Sequence, residues 1–541
     1  MTDGLKSLSD RVITLQGITS TFLAAPVVAD GNLSSPAQQF ASSTIADRRL
    51  PPDPVYQVPA SPWVGSGSTD DGISRVVPCY LNIVNPNFKY LGIDLFLRDM
   101  RSGGTNSLYC SSLLVHAVLA AGSLYSEHKE PFTQPGDLLT RGEQYHEEAL
   151  RLWKLEDGRA SITNLQALGI LAAESAWRGH DRLGWSLIQS VFDMHQKLIT
   201  KAAPPAVNDS AARTYIRALA CTTNWVMWNH MWWITAVAVR PESFMISMDD
   251  APSLEQIWVD EDSEWQSSPQ KSVVMPVHHN LLAAEIMTAT KILWRLMHDI
   301  VPHMNDRPYE HSRERLQKLA NDVLSWRQQL PPALVYTPHA DRAVFELHAQ
   351  LGMIQIYLSD YWSEVLLNEA GLHFFRHDRD AIRQKTLDHA ISAGNLMRDF
   401  RQRYGLKQIP AFMFQLAGIA TGSLLRGLQE MQQQSSRSKT ACQNEADIIE
   451  AFEECCRLLL AFSMQMILPR GITRMLHATV LKMGIRLPAS VRSILQLFGG
   501  NVWNAGDLEA FSSIYPNLSR GPPTMPNDAE RLESAIQDLK I

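Results

Sequence analysis

No two cysteines in this chain stand at C-x2-C spacing; the six thiols are scattered at Cys79, Cys110, Cys221, Cys442, Cys455 and Cys456. That excludes the paired ligand sets of zinc fingers and ribbons, and the adjacent Cys455 and Cys456 are poorly placed to chelate one ion. Free, buried thiols in a reducing compartment are the expectation. Runs of about 18 apolar residues are also missing, so no membrane span is expected. The first residues lack a charged stretch followed by an apolar block, so no secretory signal is read. Positive charge is not in excess: 49 Lys and Arg against 56 Asp and Glu give a net charge of −7. A chain that grips nucleic acid along its own surface carries a basic face. The best basic clusters, Arg48-Arg49 and Arg437-Ser438-Lys439, are too short to make one. Alternating β-branched runs are sparse as well, which argues against a sheet.

What is present is helical periodicity. The content of 45% hydrophobic and 19% charged residues reads as globular, and 541 residues can bury a core without disulfides or a metal. Residues 1–25 carry Leu5, Leu8, Val12 and Leu15 at 3-4-3 spacing, one stripe of a short amphipathic helix and a candidate coiled-coil homodimer. Residues 26–75 turn rich in Ser, Ala and Pro and read as a disordered linker. Residues 76–500 read as one helical body, and residues 501–541 as a partly ordered tail. The fold class is all-α.

Within that body, residues 107–126 put Leu113, Leu114, Ala117, Ala120 and Ala121 on one face, with small residues that let a neighbouring helix come close. Residues 161–179 open on Ser161, an N-cap type, and close on Gly179, a C′ type. A second helix over 183–199 follows the short turn RGHDR, giving a helical hairpin. Further periodic segments fall near 280–300, 312–330, 343–368, 381–403, 409–430, 447–466 and 472–484, while the polar stretch 429–445 reads as an exposed loop.

Templates for chemistry mostly fail. GSGS at 65–68 sits in the linker, without the strand–turn–helix context of a phosphate loop or nucleophile elbow. HEEAL at 146–150 resembles the start of a metalloprotease helix but lacks the second histidine at i+4. The adjacent His278 and His279 diverge on a helix. A terpene-synthase-like enzyme, another large all-α class, needs an Asp-rich helix to hold magnesium. Asp70-Asp71 lies in the linker, Asp249-Asp250 runs into Ala-Pro-Ser, and Asn321 and Ser325 are followed by Gln329 where a carboxylate is required. No catalytic, cofactor, metal or DNA-contacting residue is therefore assigned.

The stretch NWVMWNHMWWITAVAVRP, residues 224–241, concentrates Trp225, Trp228, Trp232 and Trp233. The first three fall within about 60° on a helical wheel. Val226, Met227 and Met231 make the helix apolar nearly all round, and such helices are buried. A platform for nucleic acid would pair exposed rings with Lys or Arg, and residues 218–239 contain neither. Core packing is the reading, with a lined ligand pocket as the alternative and Asn224, Asn229 and His230 as partners for the indole N–H groups.

The succession of segments resembles the fungal-specific transcription factor domain, and within it the nitrate-assimilation regulators. Residues 61–103, with Asp-Leu-Phe-Leu-Arg-Asp-Met after an aromatic run, resemble the family's opening segment; Asn85-Pro86 replaces its usual His-Pro. Leu165, Gln166, Gly179, Gly184 and Trp185 match the next motif. Trp225, Arg240 and Pro241 fall into register with another, in which Met231 replaces an acid. LSWRQQLPPAL at 324–334, the Leu-His helix at 345–362, and Arg470, Gly471 and Arg474 complete the order. The resemblance implies an all-α fold, nuclear location and control of metabolic gene transcription.

These residues contain no C-x2-C-x6-C arrangement, the zinc cluster that reads DNA in the family. Either an upstream exon supplies it or the regulator reaches DNA through a partner protein; direct sequence-specific DNA binding by this chain is not expected. The alternative of another class is a helical ligand-binding or scaffold protein.

Overall fold

In a computed structural model of the chain, the described residues are 56–126 (without 66, 105 and 106), 131, 133, 140–201, 211, 213–222, 226, 285–296 (without 287), 312–368, 376–407, 409–434, 441–499 and 511. The chain divides into two compact units, Met1–Thr44 and Ile45–Ile541, and every described residue belongs to the second. The stripe Leu5, Leu8, Val12 and Leu15 lies outside the described residues. Among those residues every regular element is a helix, as the periodicity leads one to expect.

The packed body begins before residue 76, inside the stretch expected to be linker. Trp63 is buried and donates its indole N–H to the carbonyl of Met100 at 2.8 Å. Ser74 Oγ accepts from the amide of Val58 at 3.0 Å and donates to its carbonyl at 3.2 Å. Thr69 caps helix α1 (Asp70–Cys79) by accepting from the Gly72 amide at 3.0 Å, and Asp70 accepts from the Ala60 amide at 2.7 Å. The polar residues that look like a solvated linker are caps and clamps for backbone groups. Pro78 removes a rung of the α1 ladder, and the chain continues as one wider π turn, Tyr80–Val84, into α2 (Asn85–Phe88).

Helices α3 (Ile93–Ser102), α4 (Ser112–Ser123), α5 (Glu143–Glu156), α6 (Ile162–Trp177) and α7 (Asp181–Lys201) follow. α4 packs against α1, α5 and α6, and α6 packs against α7. Ser111 and Ser161 cap α4 and α6 by accepting from the amides of Leu114 and Asn164. The close approach to α1 is made by a residue off the expected Leu113–Ala121 face: a Cβ on Gly122 would stand 2.9 Å from the Val76 carbonyl oxygen of α1. α6 closes on Gly179 at φ +79, with the His180 amide donating to the Ser175 carbonyl at 2.8 Å and the Gly179 amide to that of Ala176 at 2.9 Å. These are the two bonds of a Schellman cap, which needs the left-handed conformation that glycine adopts freely.

The second half of the body comprises α8 (Ser312–Gln328), α9 (Arg342–Asn368), α10 (Arg376–Tyr404), α11 (Ala411–Gln434), α12 (Ala441–Ser463), α13 (Ile467–Met483) and α14 (Ala489–Gly499). α10 and α11 pack on each other and on both α9 and α12, α13 and α14 pack on α12, and α13 reaches α6. The expected loop at 429–445 is shorter, because α11 runs to Gln434 and α12 starts at Ala441. Gln, Glu and Met form helix readily, so polarity there marks a solvated face rather than a helix end. Gln432 holds the join, donating to Glu445 at 3.1 Å and to the Arg486 carbonyl at 2.9 Å. Arg–carboxylate bonds stitch the bundle: Arg401 is bidentate to Glu454 at 2.8 and 2.7 Å, and Arg426 donates to Asp360 at 2.7 Å.

Candidate functional site

The segments that carry the family resemblance meet in space. Asn85, buried at the start of α2, accepts from the Leu91 amide at 3.0 Å and donates to the Leu91 carbonyl at 3.1 Å. One carboxamide thus closes the whole 85–91 turn, and a side chain with both donor and acceptor on one edge is needed for that. The turn passes through Lys89 in the left-handed region, φ 53. The carbonyl of the next residue, Tyr90, accepts from Gln166 Nε2 at 2.9 Å, and the same nitrogen reaches Thr222 Oγ1 at 3.0 Å. Gln166 therefore ties the opening segment, α6 and the helical residues 213–222 together. Of the tryptophan-rich stretch, only Val226 is described; it is fully buried, 3.0 Å from where a Cβ on Gly169 would sit. Trp225, Trp228, Trp232, Trp233, Met231, Arg240 and Pro241 lie outside the described residues, as do Asp249-Asp250 and His278-His279.

The Leu-Pro and Leu-His segments also join. Trp326 is buried and donates to the Ala289 carbonyl at 3.1 Å, while His348 Nε2 lies 2.9 Å from the Leu334 carbonyl. Near the end of the body, Gly471 of the Arg470–Arg474 motif is buried in α13, the helix that packs on α6. The α6–α7 hairpin depends on Gly184, where a Cβ would meet the Ala172 carbonyl oxygen at 2.6 Å.

Two clusters of charge sit inside this framework, and neither is legible as a motif. The first centres on Glu174 of α6, which has no exposed side-chain surface. Its carboxylate accepts from His146 Nδ1 of α5 at 2.5 Å and from Arg178 Nε one turn later. Arg178 donates onward to the Arg141 carbonyl at 2.5 Å, and Arg141 to the Ser126 carbonyl at 2.7 Å. Burial pushes the Glu174 carboxyl up, but Arg178 and His146 outweigh it and bring the pKa down to about 2. His146, the residue of the incomplete metalloprotease pattern, is thus committed to a hydrogen bond with the Glu174 carboxylate. The signal for this cluster was Glu174 and Arg178 at i, i+4 in an otherwise apolar helix.

The second cluster comprises Lys89 after α2, Tyr125 after α4, and Arg342 and Glu346 at the start of α9, which lie within electrostatic reach of one another. Arg342 Nε stands 3.4 Å from Glu346 Oε1. Burial raises the Glu346 carboxyl to about 7, against the pull of Arg342 and Lys89. Burial likewise lowers the Lys89 ammonium to about 8, against the opposing pull of Glu346. Tyr125, buried beyond α4, is within electrostatic reach of both Arg342 and Glu346.

The remaining candidates carry no site geometry. Cys79, Cys110, Cys221, Cys455 and Cys456 are free and buried, as expected, and the side chain of Cys442 lies outside the described residues. Asp70 and Asp71 are spent on the first turn of α1, Asp71 pairing with Arg75 at 2.8 Å. Asn321 bonds Gln317 at 3.1 Å on the exposed face of α8. Among the described residues, no three His, Cys, Asp or Glu side chains group as metal ligands, and no helix is long and apolar enough to cross a membrane.

Comparison with known proteins fits the order of these segments. Residues 79–237, from the last residue of α1 through the tryptophan-rich stretch, match the fungal specific transcription factor domain. It is 29% identical over 248 residues to the notoamide biosynthesis transcriptional activator notL′ of Aspergillus versicolor, covering 45% of this chain and 38% of that protein. It is 32% identical over 147 residues to the nitrogen assimilation transcription factor nit-4 of Neurospora crassa, covering 26% of this chain and 14% of the relative. With the nitrogen assimilation transcription factor nirA of Emericella nidulans it shares 23% identity over 386 residues, 67% of this chain and 41% of the other. The chain therefore spans less than half the length of each. The domain holds both partners of the Glu174–His146 pair, together with Lys89 and Tyr125; Arg342 and Glu346 lie beyond the matched residues.

Proposed function

We propose that this chain is a fungal regulator of transcription for a metabolic gene cluster, biosynthetic or catabolic, and that it acts in the nucleus. The observation that carries the reading is the domain match at 79–237, supported by three relatives whose names are those of transcriptional activators or factors. In this reading the helical body works through protein contacts rather than catalysis. These 541 residues hold no C-x2-C-x6-C arrangement and carry a net charge of −7, so in this reading they do not themselves contact DNA specifically, and a DNA-binding or transcriptional partner protein is proposed. Pairing of two copies through Leu5, Leu8, Val12 and Leu15 belongs to the same proposal.

Three measurements test it. Fused to a heterologous DNA-binding domain, the chain should change expression of a reporter placed behind that domain's site; a reporter that never responds leaves the ligand-binding or scaffold reading in its place. Deleting the gene should change transcripts of neighbouring metabolic genes under an inducing condition. The purified chain alone should give no duplex-DNA complex that survives competitor DNA and moderate salt.

A further inference from the structure

We propose that residues 527–540 dock as an acidic amphipathic helix along one face of α13, on the stripe Arg470, Arg474, His477 and Leu481, with Phe511 as the tether point. The proposal concerns contacts within this chain and stands whether or not the chain regulates transcription.

Positions 470, 474, 477 and 481 stand at i, i+4, i+7 and i+11, which is one face of α13. Leu481 is 69% exposed, and Arg470, Arg474 and His477 are half-buried. Burial and Arg470, one turn away, both lower the Arg474 guanidinium, and no carboxylate of the described residues offsets them. Burial and Arg474 likewise lower the His477 imidazole. Two guanidinium groups, an imidazole and a bare leucine on one face suit an occupant that carries carboxylates beside apolar side chains. A phosphate backbone would meet the arginines but leave Leu481 uncovered.

The C-terminal residues have that chemistry in their sequence. Ala529, Leu532, Ile536 and Leu539 follow 3-4-3 spacing, and Asp528, Glu530, Glu533 and Asp538 flank them, against Arg531 and Lys540. Asn527 and Glu530 make the capping-box pattern that opens a helix, directly after Pro526. Phe511 brings this segment to the stripe. It is buried, and a Cβ added at Gly179 would stand 2.6 Å from its ring and 3.3 Å from Ile467, the first residue of α13. The ring therefore seats at the end of α6, about one turn before Arg470. Residues 512–526 extend at most about 50 Å. The stripe is about 16 Å long, so the acidic segment is held within reach at the high effective concentration of a short tether.

Cross-linking in the full chain tests it. Arg474→Lys keeps the charge and gives a zero-length carbodiimide an amine to couple. Peptide mapping should then join position 474 to Asp528, Glu530, Glu533 or Asp538, while Lys154, exposed on α5, joins none of them. Mixed isotope-labelled and unlabelled chains tell the two sources apart: links within one chain are expected, and links between chains assign the stripe to a second copy. Phe511→Ala should lower the yield at least about threefold by loosening the tether. Trypsin gives a reading that leaves position 474 intact, because docking shields the Arg531–Leu532 bond. Leu481→Asp, a surface change, should speed that cleavage at least about fivefold. The proposal is overturned by links only between chains, by no link from position 474 to the acidic segment, by an unchanged yield in Phe511→Ala, or by unchanged cleavage in Leu481→Asp.

Discussion

The carboxylate of Glu174 and Nδ1 of His146 meet at 2.5 Å in an interior where Glu174 has no exposed surface, joining α6 to α5. Through Arg178 and Arg141 the same carboxylate anchors the Ser126 carbonyl at the end of α4. Removing one member of a buried charged set leaves the others uncompensated. Glu174→Ala should therefore lower unfolding free energy by about 3–5 kcal/mol, read by chemical denaturation.

The pH dependence of that cluster has a definite sign. Glu174 is depressed from 4.5 to about 2, so its contribution is present above the ordinary carboxylate value and is lost as pH falls toward about 2. Acid titration of unfolding should show a steeper loss in the wild type than in Glu174→Gln across that window. Equal slopes would contradict the assignment.

Glu346 predicts the opposite slope. Its carboxyl is raised from 4.5 to about 7, so stability from the neutral form is complete at low pH and is lost as pH rises through about 7. Replacing it with Gln should flatten the decline of the unfolding midpoint between about pH 5 and pH 8. The lowered Lys89 ammonium, near 8, changes stability only above that value, where deprotonation relieves its burial.

Asn85 satisfies both backbone groups of Leu91 at once. Asn85→Ala should cost about 1–3 kcal/mol, since a buried amide and a buried carbonyl lose their partner together. Asn85→His restores the dipeptide the family resemblance leads one to expect, but its ring can serve only one of the two groups from a single nitrogen. Denaturant midpoints should therefore rank wild type, then His, then Ala.

Gly184 lets α7 come close to α6, with an added Cβ only 2.6 Å from the Ala172 carbonyl oxygen. Gly184→Ala must push the two helices apart, with a cost of about 1–3 kcal/mol by thermal or chemical unfolding. The contrasting substitution is Gly67→Ala, which meets nothing within 4 Å and should stay within about 0.5 kcal/mol of the wild type.

Some of this architecture follows from local pattern alone. Ser161 and Gly179 bracket α6 because a hydroxyl at the N-cap and a left-handed glycine at C′ satisfy backbone groups only a few residues away. The apolar periodicity of α4 and α9 likewise needs no distant information. Polarity misleads where a side chain serves the backbone of a remote segment: Ser74 and Asp70 read as linker until Val58 and Ala60 are seen against them. Similarly, Gln432 reads as loop until Glu445 and Arg486 close on it.

The sequence by itself determined an all-helical body, its main hairpin, and the order of segments that marks the fungal specific transcription factor domain. Those features rest on spacings within a turn or two of helix, which the chain states directly. Only the tertiary structure decided which buried charges face one another. Glu174 finds His146 on the preceding helix, and Glu346 comes within electrostatic reach of Lys89 from the other half of the body. A charge removed from water is stabilised by whatever the fold places beside it, and that neighbour is set by packing rather than by spacing.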